Sequence, residues 1–145
     1  MTKNDSFDLS RFLKAQQTVY EAVVDELRQG KKRSHWIWFI FPQIRGLGFS
    51  PQSQTYAIQS NNEAIAYLAH PILGARLREC CFILLAIQGK TIDEIMGAPD
   101  NLKLRSSMTL FASVSENVSP FHAILDKYYK GRVDRKTLWI LRSTS

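Results

Sequence analysis

The sequence predicts an all-α protein, folded as a single compact domain of about seven to eight helices, several of them short. Apolar residues recur at spacings of three and four, which is the pattern of helices with one buried face. Glycines and capping residues interrupt these stretches and mark helix ends. No other stretch supplies an evident partner strand, so a sheet is not expected.

The first predicted helix covers residues 8–29, where Phe12, Val23 and Leu27 form part of one apolar stripe and Gly30 ends it. The apolar run at residues 34–41 follows, and its composition suits a helix or a strand. The lack of a partner strand favours a short helix, which must end before Pro42.

Later helices are predicted from caps and proline positions. Ser60–Glu63 and Thr91–Glu94 have the spacing of capping boxes, and Pro71 suits the first turn of a long helix ending near Ile87. The predicted helices after Gly48 begin near residues 52, 60, 71, 91, 100, 119 and 134. The domain is predicted to cover residues 8–141, between a polar lead (residues 1–7) and a short tail (residues 142–145).

The charge balance favours an anionic partner. The chain has 19 basic and 13 acidic residues, a net charge of +6, and its basic residues are spread out except at Lys31–Arg33. A dedicated nucleic-acid binder concentrates its positive charge, so nucleic acid is the less favoured partner and a phosphorylated small molecule the more favoured one. A merely solvated basic surface is the alternative.

Several classes of protein are not expected. No apolar signal region or membrane-spanning run is found, which predicts a cytoplasmic protein without a membrane partner. Three isolated histidines and the adjacent Cys80–Cys81 offer no metal-ligand spacing, so no metal or cofactor is predicted and the thiols are expected to be buried. The sequence leaves the oligomeric state open.

Residues 33–45 form the first candidate site, within an aromatic run that ends at a proline and two glycines, Pro42, Gly46 and Gly48. Trp36 or Trp38 would stack on a ligand ring, and His35 would act as a general acid or base. Gln43 or Arg45 would hold a carbonyl or phosphate. The alternatives are core packing for the tryptophans and a surface or capping role for His35.

Residues 100–109 form the second candidate site. Cations, hydroxyls and first-turn N–H groups near a helix start suit a phosphate, and the residues concerned are Lys103, Arg105, Ser106, Ser107 and Thr109. The alternative is that the hydroxyls bond back to their own helix. Asp100 is the best candidate for an acid or base.

Three stretches carry a resemblance to a known family: residues 33–43 with 46–48, residues 66–71 with 73–77, and residues 103–111. Together they resemble the bacterial domain-of-unknown-function family eighteen-ten, whose members are sometimes mislabelled calpastatin. The resemblance covers residues 8–137. It implies a small cytosolic all-α domain and no established activity.

Two shorter stretches, Phe12–Gln16 and Gly97–Asp100, are similar in type to small helical N-glycosidases that act on ADP-ribose or ribosyl-purine-like compounds. The leading hypothesis is a pocket between residues 36–48 and 103–109 that binds, or also hydrolyses, a phosphorylated ribose-bearing molecule. The alternative is a non-catalytic module that meets a protein or nucleic acid through an exposed tryptophan patch.

Overall fold

Helices and short connections make up residues 6–144, the part of the chain that this computed structural model describes. The predicted lead at residues 1–7 therefore lies mostly outside the described residues. The helices, in chain order, are α1 (Ser10–Gln17), α2 (Tyr20–Arg28), α3 (Ile37–Ile40), α4 (Pro51–Thr55), α5 (Asn61–Ala69), α6 (Leu73–Ala86), α7 (Ile92–Met96), α8 (Asp100–Ser113), α9 (Pro120–Tyr129) and α10 (Arg135–Thr144).

The all-α prediction is confirmed for these residues, but the predicted helix count was too low: they form ten helices rather than seven to eight. One cause is the break in the predicted helix over residues 8–29. Thr18 and Val19 interrupt it, with Val19 at φ −121°, and both are β-branched residues that lose side-chain freedom in a helix. The break lets α1 pack against α3 while α2 packs against α6.

The aromatic run does form a short helix, α3, which stops at Phe41 before Pro42. The helix predicted from residue 52 to Ile58 is also shorter, because α4 ends at Thr55. Ile58 instead pairs with Ile44 in an isolated parallel β-bridge. A connecting loop therefore replaces the last turn of the predicted helix.

Predicted caps account for most of the later helix starts. Thr91 and Glu94 form the expected capping box at α7. The Ser60 hydroxyl accepts from the Glu63 N–H, but the Glu63 carboxylate receives the N–H of Gln59 rather than that of Ser60. The capping box at α5 is thus only half formed.

The long helix α6 begins at Leu73, two residues after Pro71. His70 precedes it, and its Nδ1 accepts from the backbone N–H groups of Ile72 and Leu73 at 3.1 and 3.2 Å. A histidine cap therefore sets this start, because it satisfies first-turn donors that a helix leaves unpaired.

Helix α8 is the central element of the core. It packs against α3, α5, α7, α9 and α10. Leu104, Met108 and Phe111 are fully buried, and so is Ser107. A helix that is buried on most sides must satisfy its polar side chains within the protein. The hydroxyls of α8 therefore need hydrogen-bond partners on the helix itself or on its neighbours.

The two cysteines lie in α6, and both are buried free thiols, as predicted. Burial raises the pKa of the Cys80 thiol to about 12 and places that of Cys81 well above its usual value. Thiols of this kind are unreactive at neutral pH. They serve as packing groups in the core.

Candidate functional site

Glu26, in the last turn of α2, organises the start of the aromatic run. Its carboxylate is 7% exposed. It accepts from the backbone N–H of Arg33 at 2.7 Å and of Ser34 at 3.0 Å, and from Trp36 Nε1 at 2.9 Å. Burial alone would raise its pKa, but these bonds and one from the Ser34 hydroxyl outweigh burial and hold the pKa at about 2.

Trp36 is 1% exposed and packs in the core. The Nζ of Lys32 lies 4.8 Å from the centre of its ring. The same ammonium group forms an ion pair with Asp100 Oδ2 at 2.8 Å and donates to the Ser34 carbonyl oxygen. Both Trp36 and Asp100 are therefore already engaged, and this arrangement fits the alternative of core packing for Trp36.

Trp38 and Lys103 bring the two candidate stretches together. The Nζ of Lys103, in the first turn of α8, lies 5.6 Å from the centre of the half-buried Trp38 ring. The Trp38 indole N–H is buried without a hydrogen-bond partner among the described residues. The buried hydroxyl of Ser107, one helical turn after Lys103, likewise has no partner there. This junction holds polar groups that the fold does not satisfy.

His35 stands apart from this junction. It is exposed, and its imidazole ring has no hydrogen-bond partner within residues 6–144. A general base is normally oriented by a second group, which His35 lacks. The surface alternative describes its position in this fold.

Gln43 and Arg45 lie on the loop that follows α3. The Gln43 carbonyl accepts from Ile58 N–H at 2.8 Å, and Arg45 N–H donates to the Ile58 carbonyl at 2.9 Å. These bonds hold the loop beside α4, where it forms a pocket of about 120 Å³. Gln43, Arg45, Ser53, Gln54 and Gln59 supply the polar part of its lining.

The side chains of Gln43 and Arg45 have no hydrogen bond or ion pair to other groups in the described part of the chain, whereas Gln54 and Gln59 donate to backbone carbonyls. The pocket is formed by residues 43–59, and no α8 residue lines it. The stretches predicted to share one pocket therefore meet at Trp38 and Lys103, and neither of these residues lines the loop pocket.

The hydroxyls of α8 hold another helix in place. Ser106 Oγ donates to Asp134 Oδ2 at 2.9 Å, and Thr109 Oγ1 accepts from the Asp134 N–H at 2.9 Å. Asp134 precedes α10, and the Thr137 hydroxyl also donates to its carboxylate. Ser106 and Thr109 thus have a structural use that the helical pattern did not reveal.

Lys103 and Arg105 do not face the same place. Residues two apart on a helix point to different sides. Lys103 lies over Trp38, whereas Arg105 lies beside Tyr129 of α9: burial raises the pKa of Tyr129, and the Arg105 charge opposes that rise. The Nε of Arg105 is buried without a partner among the described residues. A joint clamp on one phosphate is not formed.

Three N–H groups in the first turn of α8, those of Asn101, Leu102 and Lys103, are already hydrogen-bonded. Asn101 N–H donates to the Gly97 carbonyl at 2.8 Å, and the N–H groups of Leu102 and Lys103 donate to the Pro99 carbonyl at 3.0 and 3.2 Å. The peptide bond between Ala98 and Pro99 is cis. Through the carbonyls of Gly97 and Pro99, the preceding turn accepts from three of the donors that were expected to receive a phosphate.

Two buried polar side chains were missed as organisers of this region: Gln16 and Glu26. Gln16 Nε2 donates to the Phe39 carbonyl at 2.8 Å and contacts Tyr67 Oη at 3.1 Å. A signal was present in the sequence, because Gln16 follows Phe12 by four residues and Glu26 follows Val23 by three. Polar residues inside an apolar stripe are buried and need partners.

Residues 6–144 contain no group of three or more histidine, cysteine, aspartate or glutamate residues arranged to hold a metal ion. Within the same range, no helix is long and apolar enough to cross a membrane.

The fold and the loop pocket define a small all-helical protein with a recess on the loop that follows its aromatic helix. The chain belongs to the DUF1810 family, described as a protein of unknown function, whose sequence model matches residues 6–141. The resemblance found in the sequence is thereby confirmed. No curated protein matches the chain.

One solved structure is closely similar: the conserved hypothetical protein Rv1873 from Mycobacterium tuberculosis. It is 54% identical, with a TM-score of 0.93 over 95% of this chain and 99% of that one. Identity at this level extends the likeness beyond the fold to the sequence. Neither the description of the family nor that of this solved structure states an activity.

Proposed function

We propose that this protein binds a small phosphorylated, ribose-bearing molecule, of the nucleotide or ADP-ribose class, at the pocket beside Gln43 and Arg45. The carrying observation is that a guanidinium and an amide, both unpaired among the described residues, line one pocket. Arginine suits phosphate oxygens because its planar group donates two parallel hydrogen bonds. The net charge of +6 also favours an anionic ligand.

The size of the pocket limits what enters it. A volume of about 120 Å³ is below the ~300 Å³ at which typical small-molecule sites begin. It suits one phosphate or one small ring rather than a whole nucleotide. The phosphate would meet Arg45 and Gln43, while the rest of the ligand would lie on the outer loop surface.

Binding has better support than hydrolysis. Asp100, the residue proposed as acid or base, is paired with Lys32 at 2.8 Å, and His35 is exposed without an orienting partner. For hydrolysis, Asp100 would have to leave Lys32 and reach the scissile N-glycosidic bond. We therefore propose a binding protein first and an N-glycosidase only if a bound ligand is found to be cleaved.

The test is a thermal-shift screen against nucleotides, sugar phosphates and NAD-related compounds, followed by calorimetry on any hit. A ligand that binds only the folded state raises the unfolding midpoint. Arg45→Ala should weaken binding by about 10- to 100-fold, because a hydrogen bond to a charged group contributes roughly 1.5–3 kcal/mol. Gln43→Ala should weaken it less.

Arg132→Ala is the matched control, because Arg132 is also an exposed arginine but does not line this pocket. It should bind the ligand like the unchanged protein. Equal affinity of the Arg45→Ala and unchanged proteins would refute the proposed site. A screen without any midpoint rise would refute the ligand class.

A second candidate, a non-catalytic interaction module, has an observation of its own. An apolar groove of about 610 Å³ lies between α5, α8 and α10, and Ile65, Leu138 and Leu141 line it. Trp139, on the same helix as the last two, is 62% exposed. Apolar surface of this kind is typical of sites where proteins meet.

The two candidates differ in how tryptophan emission responds to ligand. A Trp139→Phe variant removes the exposed indole and leaves Trp36 and Trp38 as reporters. Ligand-dependent emission from this variant would support the small-molecule pocket. The interaction module would be supported by two results together. No compound would change the tryptophan emission, and the unchanged protein would capture a partner that the Leu138→Asp variant does not.

A further inference from the structure

A further recess lies where the C-terminal ends of α2 and α6 meet. It has a volume of about 400 Å³, within the ~300–1,000 Å³ range of small-molecule sites. Ile83, Ala86 and Ile87 form its apolar floor. None of these residues belongs to the loop pocket beside Gln43, so the two recesses are separate.

The rim of this recess is positively charged. Arg28 and Lys90 line it, and no acidic residue does. A third cation, Arg33, donates to the side-chain oxygen of Gln29, which also lines the recess. Glu94, an exposed carboxylate that does not line the recess, interacts with Lys90: bonds from Thr91 lower the pKa of Glu94, and the charge of Lys90 lowers it further.

Backbone geometry holds one of these cations in position. Lys90 Nζ donates to the Gly30 carbonyl at 3.0 Å. Gly30 has a φ of +71°, and a Cβ there would lie 3.1 Å from Lys90 Nζ. An ammonium group has three donors, so one bond to Gly30 leaves Lys90 able to bind an anion.

From this combination we propose a second binding site, for a small amphipathic anion: an organic molecule with an apolar body and one carboxylate, sulfonate or phosphate group. The apolar body would lie on Ile83 and Ala86, and the anionic group would meet Arg28 and Lys90. The site does not depend on the proposed nucleotide site, because no residue is shared.

The experiment uses the fluorescent aromatic sulfonate 8-anilinonaphthalene-1-sulfonate as the probe and octanoate as its competitor. We expect saturable probe fluorescence that octanoate displaces, while octanol and octylammonium, which have the same chain without the negative charge, displace it much less. Arg28→Gln should weaken probe binding by about threefold, because exposed charge pairs contribute little individually.

A pair of substitutions at Ala86 provides the decisive control. Ala86 is exposed in the last turn of α6, so Ala86→Glu and Ala86→Lys change the charge of the floor without opening the core. Glu should weaken probe binding about tenfold relative to Lys, since the two differ by two charges beside the anion. Arg45→Ala should bind the probe normally.

Three results would overturn the proposal. Equal binding by the Ala86→Glu and Ala86→Lys variants would exclude this recess, and equal displacement by octanol and octanoate would exclude a role for the anionic group. Absence of saturable binding would exclude the site altogether. Since Arg45→Ala affects only the loop pocket, failure here leaves the nucleotide-binding proposal untouched, and the converse holds.

Discussion

Buried polar side chains hold residues 29–60, a stretch of loops with the two short helices α3 and α4, against the longer helices. Glu26 receives backbone N–H groups at Arg33 and Ser34, and Gln16 donates to the carbonyl of Phe39. Each of these polar groups satisfies a backbone group that no helix could pair. An unpaired buried donor or acceptor costs about 1–3 kcal/mol, so such residues matter more than their number indicates.

Glu26→Gln should lower stability and remove a part of its pH dependence. The carboxylate has a folded-state pKa of about 2 against an ordinary value of 4.5, so its contribution is complete above pH 4.5 and is lost as the pH falls towards 2. We expect the variant to be less stable by about 1–3 kcal/mol at pH 7. Urea unfolding at several pH values measures both effects.

The control is Glu21→Gln, an exposed glutamate on the same helix. It should change stability by less than about 0.5 kcal/mol, as surface substitutions usually do. The free energy of unfolding should depend on pH less steeply in Glu26→Gln than in the unchanged protein between pH 4.5 and 2. An equal dependence in the two proteins would show that the hydrogen bonds do not lower the pKa of the Glu26 carboxylate.

At the scale of elements, α8 combines core packing with the docking of α10. Its apolar residues fill the centre, while Ser106 and Thr109 meet Asp134 at the start of α10. One carboxylate therefore accepts from the Ser106 hydroxyl of α8 and from the Thr137 hydroxyl of α10. The position of α10 relative to α8 depends on these few polar contacts.

A double-mutant cycle measures this docking. Asp134→Ala should cost about 1–2 kcal/mol, because it removes the acceptor of two hydroxyl hydrogen bonds, and Ser106→Ala about 1 kcal/mol. Because the two side chains share a hydrogen bond, the double variant should lose less than the sum, by about 0.5–1 kcal/mol. Ser113→Ala, whose hydroxyl bonds only within α8, is the matched control. Strict additivity would contradict the contact.

Across the whole molecule, Arg11 ties together segments far apart in the sequence. Its guanidinium donates to the carbonyls of Phe7 at 2.7 Å, Thr55 at 2.8 Å and Ala57 at 2.8 Å. It also forms an ion pair with Glu63 at 2.9 Å, and Glu63 is only 1% exposed. The start of the domain, the loop after α4 and helix α5 are thus held by one side chain.

Arg11→Met should destabilise the protein by about 3 kcal/mol, because it leaves the buried Glu63 carboxylate without its counter-charge. Replacing both partners, in Arg11→Met with Glu63→Gln, should cost less than the sum of the single substitutions. Guanidinium-induced unfolding gives both values, with Arg132→Met as an exposed control. A loss below about 0.5 kcal/mol would show that the tie is unimportant.

Local signals accounted for the helices well. The Thr91–Glu94 capping box and the Ser119 and Ser50 caps lie where short-range patterns placed helix starts, because caps act between residues three apart. These short-range signals did not predict the break at Thr18–Val19. Its neighbours continue the helical stripe, and the choice of two helices depends on α1 and α2 packing against different partners.

The candidate site shows the same division. The sequence by itself determined an all-helical fold, an aromatic buried run and the family, because these depend on residue type and near spacing. Only the tertiary structure decided that Trp38 meets Lys103, that Asp100 is paired with Lys32, and that Arg45 remains unpaired beside a pocket. The two contacts join residues 60 or more positions apart, and Arg45 is distinguished by having no side-chain partner among the described residues. Short-range sequence patterns carry no information about either.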